Sequence, residues 1–397
     1  MQAGKIKELA ARYFRDTVDI RRHLHRHPEL SFQEKETAKF ISKMLKDYGI
    51  SHEVDIAGHG IVAIIEGQNS DGPCMALRAD MDALPIQEKA THDYASCKAG
   101  VMHACGHDAH TAMLLTAGRI IFEMRQHFSG IIKLIFQPAE EMLPGGALGM
   151  IDAGVLEKPK VSAIIGQHVH PSLEAGMIGF KAGPFMASGD EINIKVKGKG
   201  GHAAMPEAID DTVLIASQIV IGLQQIVSRH APPSIPTVLS FGRLIANGFH
   251  NIIPDEVIIQ GTLRTFNEAW RQKAKDHIIQ IAQNTAAASG AIAEVQIDHG
   301  YPFLVNNDKL TSIAMEAAIT YLGSENVVQL EQRMTTEDFG HYSHKIPACF
   351  YRLGTGNTRN NITSGLHTPT FDIDETSLET GSGLMAYMAL QQLNKIE

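Results

Sequence analysis

Short apolar runs alternate with longer helical patterns through the first half of the chain, and this rhythm is the strongest constraint on its fold. Residues 61–65, 74–77, 131–136 and 161–165 read as strands, with a helix predicted over 111–128. Runs without polar alternation must be covered on both faces, which implies a mostly parallel sheet flanked by helices. Two helices open the chain, separated by Pro28. The second is predicted to begin at a capping box of Ser31 and Glu34, to bury Ala38, Ile41 and Leu45, and to stop at Gly49. From about Gly189 the rhythm changes to a strand (191–196), a helix (212–228), strands 237–244 and 257–265, a helix (270–288) and a strand (293–297). The order β-α-β-β-α-β is the ferredoxin-like split unit. After Tyr301 a helix, a short strand near 349–353 and a long helix from Asp374 return to the first pattern. A chain of 397 residues also exceeds what one hydrophobic core usually serves. The predicted fold is therefore α/β, with a helix-covered, mostly parallel catalytic domain (1–185 and 299–397) and an inserted ferredoxin-like α+β lid or dimerisation domain (186–298).

The charge balance of 44 acidic against 35 basic residues, net -9, disfavours nucleic acid and anionic membranes as partners. A small-molecule substrate is the expectation. No uninterrupted apolar run reaches the roughly 18 residues of a membrane span, and the first residues read as an amphipathic helix without a signal-peptide apolar region. A cytoplasmic location is expected. Four cysteines cannot form a disulfide framework, so Cys74, Cys97, Cys105 and Cys349 are read as thiols. Twenty histidines are the one unusual count, and they suit a metal site or a histidine-rich surface.

Spacing separates these two possibilities. Cys105-Gly106-His107-Asp108 places a thiol and an imidazole on a glycine-permitted turn, with Asp80 and Asp82 upstream in LRADMDALP. Alone it reads as a buried thiol near a capping histidine. Glu140 and Glu141 in QPAEE follow the 131–136 strand, where open α/β sheets place their sites, although a pair of glutamates is more often a solvated loop. His168 and His170 in QHVHP follow the next strand, and His367 stands in LHTP near the end. Four such groups, three at predicted strand ends of one sheet, supply Cys, His and Glu to a single crevice, a coincidence far rarer than any one of them.

Taken together, RRHLHRHPEL, LRADMDALPI, HACGHDAH, FQPAEE, GQHVHP, GGHAAMP, NIIPD, GTLRTF, TTEDFG and HTPTFDIDE resemble the aminoacylase-like two-metal metallopeptidases, in the branch of hippurate hydrolase, indole-acetyl-amino-acid hydrolases and N-acetyldiaminopimelate deacetylase. The resemblance covers nearly the whole chain. It implies Cys105, His107, Glu141, His168 and His367 as ligands of two divalent ions per subunit (Zn, Mn or Ni) and Glu140 as general base. It further implies His202 as an oxyanion donor reaching a neighbouring subunit's active site, Asn251 and Arg264 as substrate contacts, Asp82 as a partner orienting an imidazole, and a homodimer or dimer-based oligomer through the inserted domain. The implied reaction is hydrolysis of N-acyl amino acids. A dipeptidase or carboxypeptidase of the same scaffold and a non-catalytic metal-dependent binding protein are the alternatives. Departures are the extra His170 beside His168, and Glu207 with Asp211-Thr212 after GGHAAMP, where relatives commonly carry His and then Asp-Pro. The histidines of RRHLHRHPEL are assigned a structural role. A thiol mechanism with Cys105 as nucleophile and His107 as base would leave the glutamate pair and the distant histidines without a task. No HExxH, GxSxG or P-loop is present.

Overall fold

Strand Cys74–Asp80 lies inside an eight-stranded sheet and is buried at every residue, including Arg78 and Asp80. This computed structural model describes residues 2–393 and Lys395. Ile131–Gln137, Cys74–Asp80, Val161–Glu174 and Ala348–Gly356 run side by side and parallel. Register sets their carboxyl ends together: Asp80 stands beside Gln137, Arg78 beside Gly166, and Arg352 beside His168. In an open α/β sheet that edge is where side chains can converge without being covered by crossover helices. Antiparallel strands Ser51–Ile56 and Gly60–Glu66 extend one margin, and Ile178–Phe180 with Val327–Gln329 extends the other. The predicted mostly parallel α/β class is the one observed.

Helices Gln2–Arg26, His107–Glu123 and Ser377–Leu393 pack on one another, and the last two also on the Cys74–Asp80 strand. The latter two are buried almost all round, so they read as uniformly apolar rather than as amphipathic stripes.

The Ser31–Glu34 capping box does not form. Helix Lys35–Asp47 starts directly after Glu34 with no side-chain cap. Ser31 Oγ instead donates to Asp82 Oδ2 at 2.6 Å, and Glu34 Oε1 accepts from the Ala139 N–H at 2.7 Å. A buried carboxylate and a buried amide, each costly to leave unpaired, outcompete solvent-accessible helix-end groups for these two side chains. Strand Ser51–Ile56 escaped the reading because it is mostly exposed and carries little apolar alternation.

The chain divides into two compact units, Met1–Phe185, Val305–Glu331 and Asp338–Glu397 on one side and Met186–Leu304 with Gln332–Glu337 on the other. In the second unit the strands lie in the order Thr237–Ala246, Glu256–Thr265, Ser188–Lys197, Ile292–His299, with every neighbour antiparallel. Helices Thr212–Leu223 and Glu268–Ala287 cover it, started by Asp211 and Asn267, whose side chains accept from Leu214 N–H and Trp270 N–H at 2.9 and 2.8 Å. Asp211, one of the departures in sequence, is thus a helix N-cap. The helical stretch Thr212–His230 has the length and, at 1.2, the mean hydropathy of a membrane span. Its Ile215, Ile219, Leu223 and Ile226 nevertheless fill this unit's core.

Candidate metal centre

Gly106 fixes the start of the centre. Its φ of +84° is a left-handed conformation, and a Cβ there would lie 2.5 Å from Val169 Cγ2, so only glycine lets the turn sit against the sheet. The turn holds Cys105 just before, and His107 at the first position of, helix His107–Glu123. After strand Ile131–Gln137 the chain bends at Ala139, with φ +55°, and Gly146 approaches Pro138 too closely for any Cβ. The bend delivers Glu140 and Glu141.

Ligand atoms of Cys105, His107 and His168 lie within 4.8 Å of one another, as do those of Cys105, Glu141 and His367, and those of His107, Glu140 and Glu141. The first two sets share Cys105 alone, an arrangement suited to two adjacent cations. Cys105 Sγ is 3.4 Å from His168 Nε2, and His367 Nε2 is 3.2 Å from Glu141 Oε1. His168 Nδ1 donates to the Val169 carbonyl at 2.8 Å, which leaves the Nε2 lone pair turned toward Cys105. His107 Nδ1 meets Asp82 Oδ1 at 3.1 Å, and Asp82 Oδ2 also accepts from Glu141 N–H at 2.9 Å. Asp82 therefore orients one imidazole and the backbone of a carboxylate at once.

His107 Nε2 is buried and has no hydrogen-bond partner among the described residues. Carboxylate oxygens of Asp80, Glu141 and Glu140 surround it at 3.8, 3.9 and 4.0 Å. Burial acts to lower the His107 pKa, yet Asp80, Asp82 and Glu141 raise it to about 10. Such a field draws positive charge, and a cation answers it better than a proton on a ring whose nitrogen reaches no acceptor. Burial, with Glu141, Glu140 and Asp80, holds the Cys105 thiol well above its ordinary range. Without a cation beside it the Cys105 thiol is held protonated, whereas a bound cation would draw it to the thiolate that serves as a ligand. Burial and then Arg352 hold His168 well below its ordinary value, which favours the neutral imidazole that a metal site requires.

Several contributors escaped the sequence reading. His110 Nδ1 meets Asp80 Oδ1 at 2.6 Å and its Nε2 accepts from Val169 N–H at 2.9 Å, so both ring nitrogens are spent on positioning. Arg78, fully buried, donates to Asp80 at 2.5 Å, to Asp338 at 2.7 Å and to Gln137 at 3.0 Å. Burial, then Asp82, pushes Glu34 up to about 7. Only Arg78 left a local signal, a charge two residues before Asp80 inside the otherwise apolar strand Cys74–Asp80.

In the second unit, His202 lies exposed on the two-residue strand Gly201–His202, which pairs with Ile252–Ile253. Its Nδ1 accepts from Ala204 N–H at 3.1 Å, so a neutral ring carries its proton on Nε2. Asn251 is exposed and its carbonyl accepts from Ala203 N–H at 3.0 Å. Arg264 is half-buried on strand Glu256–Thr265, and a Cβ on Gly189 would collide with its guanidinium. It has no hydrogen-bond or ion-pair partner among the described residues, and burial lowers its pKa.

The model of peptidase family M20/M25/M40 matches residues 76–391. The chain belongs to this family. It is 42% identical over 381 residues to an N-acetylcysteine deacetylase of Bacillus subtilis, covering 96% of this chain and 97% of that one. It is 44% identical over 309 residues to an N-acyl-L-amino acid amidohydrolase of Geobacillus stearothermophilus, covering 78% and 83%. The crystal structure of the Bacillus subtilis YXEP protein, described as a dinuclear metal binding peptidase of the M20 family, superposes with a TM-score of 0.82 at 38% identity over 97% of this chain and 100% of that one.

Proposed function

We propose that this M20-family chain is a metal-dependent amidohydrolase that cleaves N-acyl amino acids, N-acetyl, N-benzoyl or similar, to a carboxylic acid and a free amino acid. The observation that carries this reading is His107 Nε2, buried without a partner in a ring of carboxylates beside a thiol and two further imidazoles. Cys105, His107, Glu141, His168 and His367 fit two divalent ions, of Zn²⁺, Mn²⁺ or Ni²⁺ type, because thiolate and imidazole ligands are poor partners for Ca²⁺ or Mg²⁺. When bound, such ions acidify a water from a pKa of about 15.7 toward about 7 and polarise the scissile carbonyl. Glu140 would serve as the general base, its carboxylate taking a proton from the attacking water and returning it to the leaving amine, a role worth typically 10²- to 10⁴-fold in rate. His202, protonated on Nε2 when neutral, is a donor for the oxyanion of a neighbouring subunit's substrate. Arg264, a half-buried guanidinium without its own carboxylate, suits the substrate's carboxylate, with Asn251 as a second contact.

The test is hydrolysis of N-acetyl, N-benzoyl and indole-acetyl amino acids and of dipeptides, before and after chelation and reloading with each metal. Activity on N-acyl amino acids should vanish with chelator and return with Zn²⁺, Mn²⁺ or Ni²⁺. Turnover that persists in chelator, or that is confined to dipeptides, excludes the reading.

The second unit supplies a surface for pairing two copies: Leu214 and Ile221 on helix Thr212–Leu223 are 55% and 71% exposed, and edge strand Thr237–Ala246 adds exposed Leu244. Ile221→Lys should convert a dimer, by light scattering, to a monomer with its circular dichroism unchanged. Turnover should fall with it, since His202 serves the neighbouring subunit. A monomeric wild type would refute the dimer.

A further inference from the structure

A second cluster of metal-ligating side chains lies outside the centre described above. His25, from helix Gln2–Arg26, and Glu88 and His92, from the connection between Asp80 and His107, bring three ligand atoms within 4.8 Å of one another. His25 Nε2 and His92 Nε2 are 3.2 and 3.3 Å from the same oxygen, Glu88 Oε1. Zinc–nitrogen bonds of about 2.0–2.1 Å in a tetrahedron place neighbouring ligand atoms about 3.3 Å apart. Both distances match that edge.

Each ligand is held from behind. His25 Nδ1 meets Asp108 Oδ2 at 2.8 Å, the carboxylate–histidine pairing that turns the other ring nitrogen toward a metal. The other oxygen of Glu88 accepts from Ser96 N–H at 2.6 Å. His92 stacks on Tyr94 with ring centroids 3.6 Å apart and planes at 14°, and Tyr94 donates to Asp372 at 2.9 Å. A simple hydrogen bond from His25 to Glu88 explains one contact and not the other. Both ring nitrogens of His92 are buried without a hydrogen-bond partner among the described residues, and it is Nε2, 3.3 Å from Glu88 Oε1, that a cation at this cluster takes up.

Charge points the same way. Arg21 contacts Asp108, Asp372 and Glu375, and Arg22 contacts Glu375. With Glu88, four carboxylates face two guanidiniums, leaving two negative charges, the complement of one divalent ion.

We propose that His25, Glu88 and His92 form a separate binding site for one divalent cation of the zinc type, which ties the long connection between Asp80 and His107 to the first helix. Two imidazoles and a carboxylate favour Zn²⁺ or Co²⁺ over Ca²⁺ or Mg²⁺. The site shares no ligand with the Cys105 centre and does not depend on its activity.

The experiment strips the full chain with chelator, reloads it with Zn²⁺ alone, removes free metal by gel filtration and counts zinc per chain. Wild type should hold one equivalent more than His92→Phe, which keeps the stack on Tyr94, and one more than Glu88→Gln. Both variants should keep wild-type turnover of N-acyl amino acids. In a Cys105→Ala, His107→Ala background the same equivalent should persist and be lost on adding His92→Phe, so a failure of the catalytic centre cannot imitate a failure here. Equal zinc content in wild type and in whichever of the two single variants folds, judged by circular dichroism, overturns the proposal.

Discussion

Glu140→Gln is expected to lower kcat by roughly 10²-fold or more while metal content and fold stay unchanged, because an amide cannot accept the proton that a carboxylate base removes from water. Glu141→Gln is expected to lose metal and activity together. The two residues are adjacent, yet the bend at Ala139 gives them different neighbours. Both carboxylates approach His107 Nε2, at 3.9 and 4.0 Å, and Glu141 Oε1 also stands 3.2 Å from His367 Nε2, within the cluster that includes Cys105. Both substitutions nearly conserve volume, so a packing defect is a poor imitation of either result. Metal analysis and single-turnover hydrolysis on the two variants separate the roles. Near-normal turnover in Glu140→Gln, or intact metal in Glu141→Gln, would sink the corresponding assignment.

Legibility in the sequence followed the physical origin of each element. Strands buried on both faces, such as Cys74–Asp80 and Ile131–Gln137, stood out as continuous apolar runs, and the change of rhythm near Gly189 gave the β-α-β-β-α-β order of the second sheet. Edge strand Ser51–Ile56 has no such run because water covers most of it. At the site, Cys105, His107, Glu140, Glu141 and His168 stood in groups assigned to predicted strand ends and His367 in a motif near the end of the chain, and the fold brings all six into overlapping clusters. Of the supporting residues, Asp82 was named as such from its motif and the others were not. Ser31 and Glu34 fit the pattern of a helix start, and nothing local tells a serine that will cap a helix from one that will hold a carboxylate 51 residues away. Arg78 and Asp338 stand 260 residues apart, so their pairing exists only once the sheet has formed. His25, Glu88 and His92 illustrate the same limit, since a helix and an irregular connection must meet before the three can act together.

Arg78 carries the other large expectation, one of stability rather than rate. Its guanidinium, wholly buried, joins Asp80, Gln137 and Asp338, and Asp338 also accepts from Gln137 and from Ala147 N–H at 2.7 and 2.9 Å. Arg78→Met fills similar space without charge and leaves two buried carboxylates facing each other's field. Breaking a buried ion network in this way typically costs about 3–5 kcal/mol. The cost should depend on pH with a definite sign. Burial already holds Asp338 above the usual carboxylate range, although Arg78 and the hydrogen bond from Gln137 oppose it. Without Arg78 its pKa rises further, so the folded variant takes up a proton at a pH where the unfolded chain does not. Stability lost at pH 8 is then partly regained as the pH falls through the raised pKa toward the unfolded value near 4. Urea unfolding of wild type and Arg78→Met at pH 8 and at pH 5.5 should show a gap of several kcal/mol that narrows in acid. A gap below about 1 kcal/mol at pH 8, or one that widens in acid, would mean that Asp80 and Asp338 find compensation elsewhere and that Arg78 is not the residue holding the floor of the centre together.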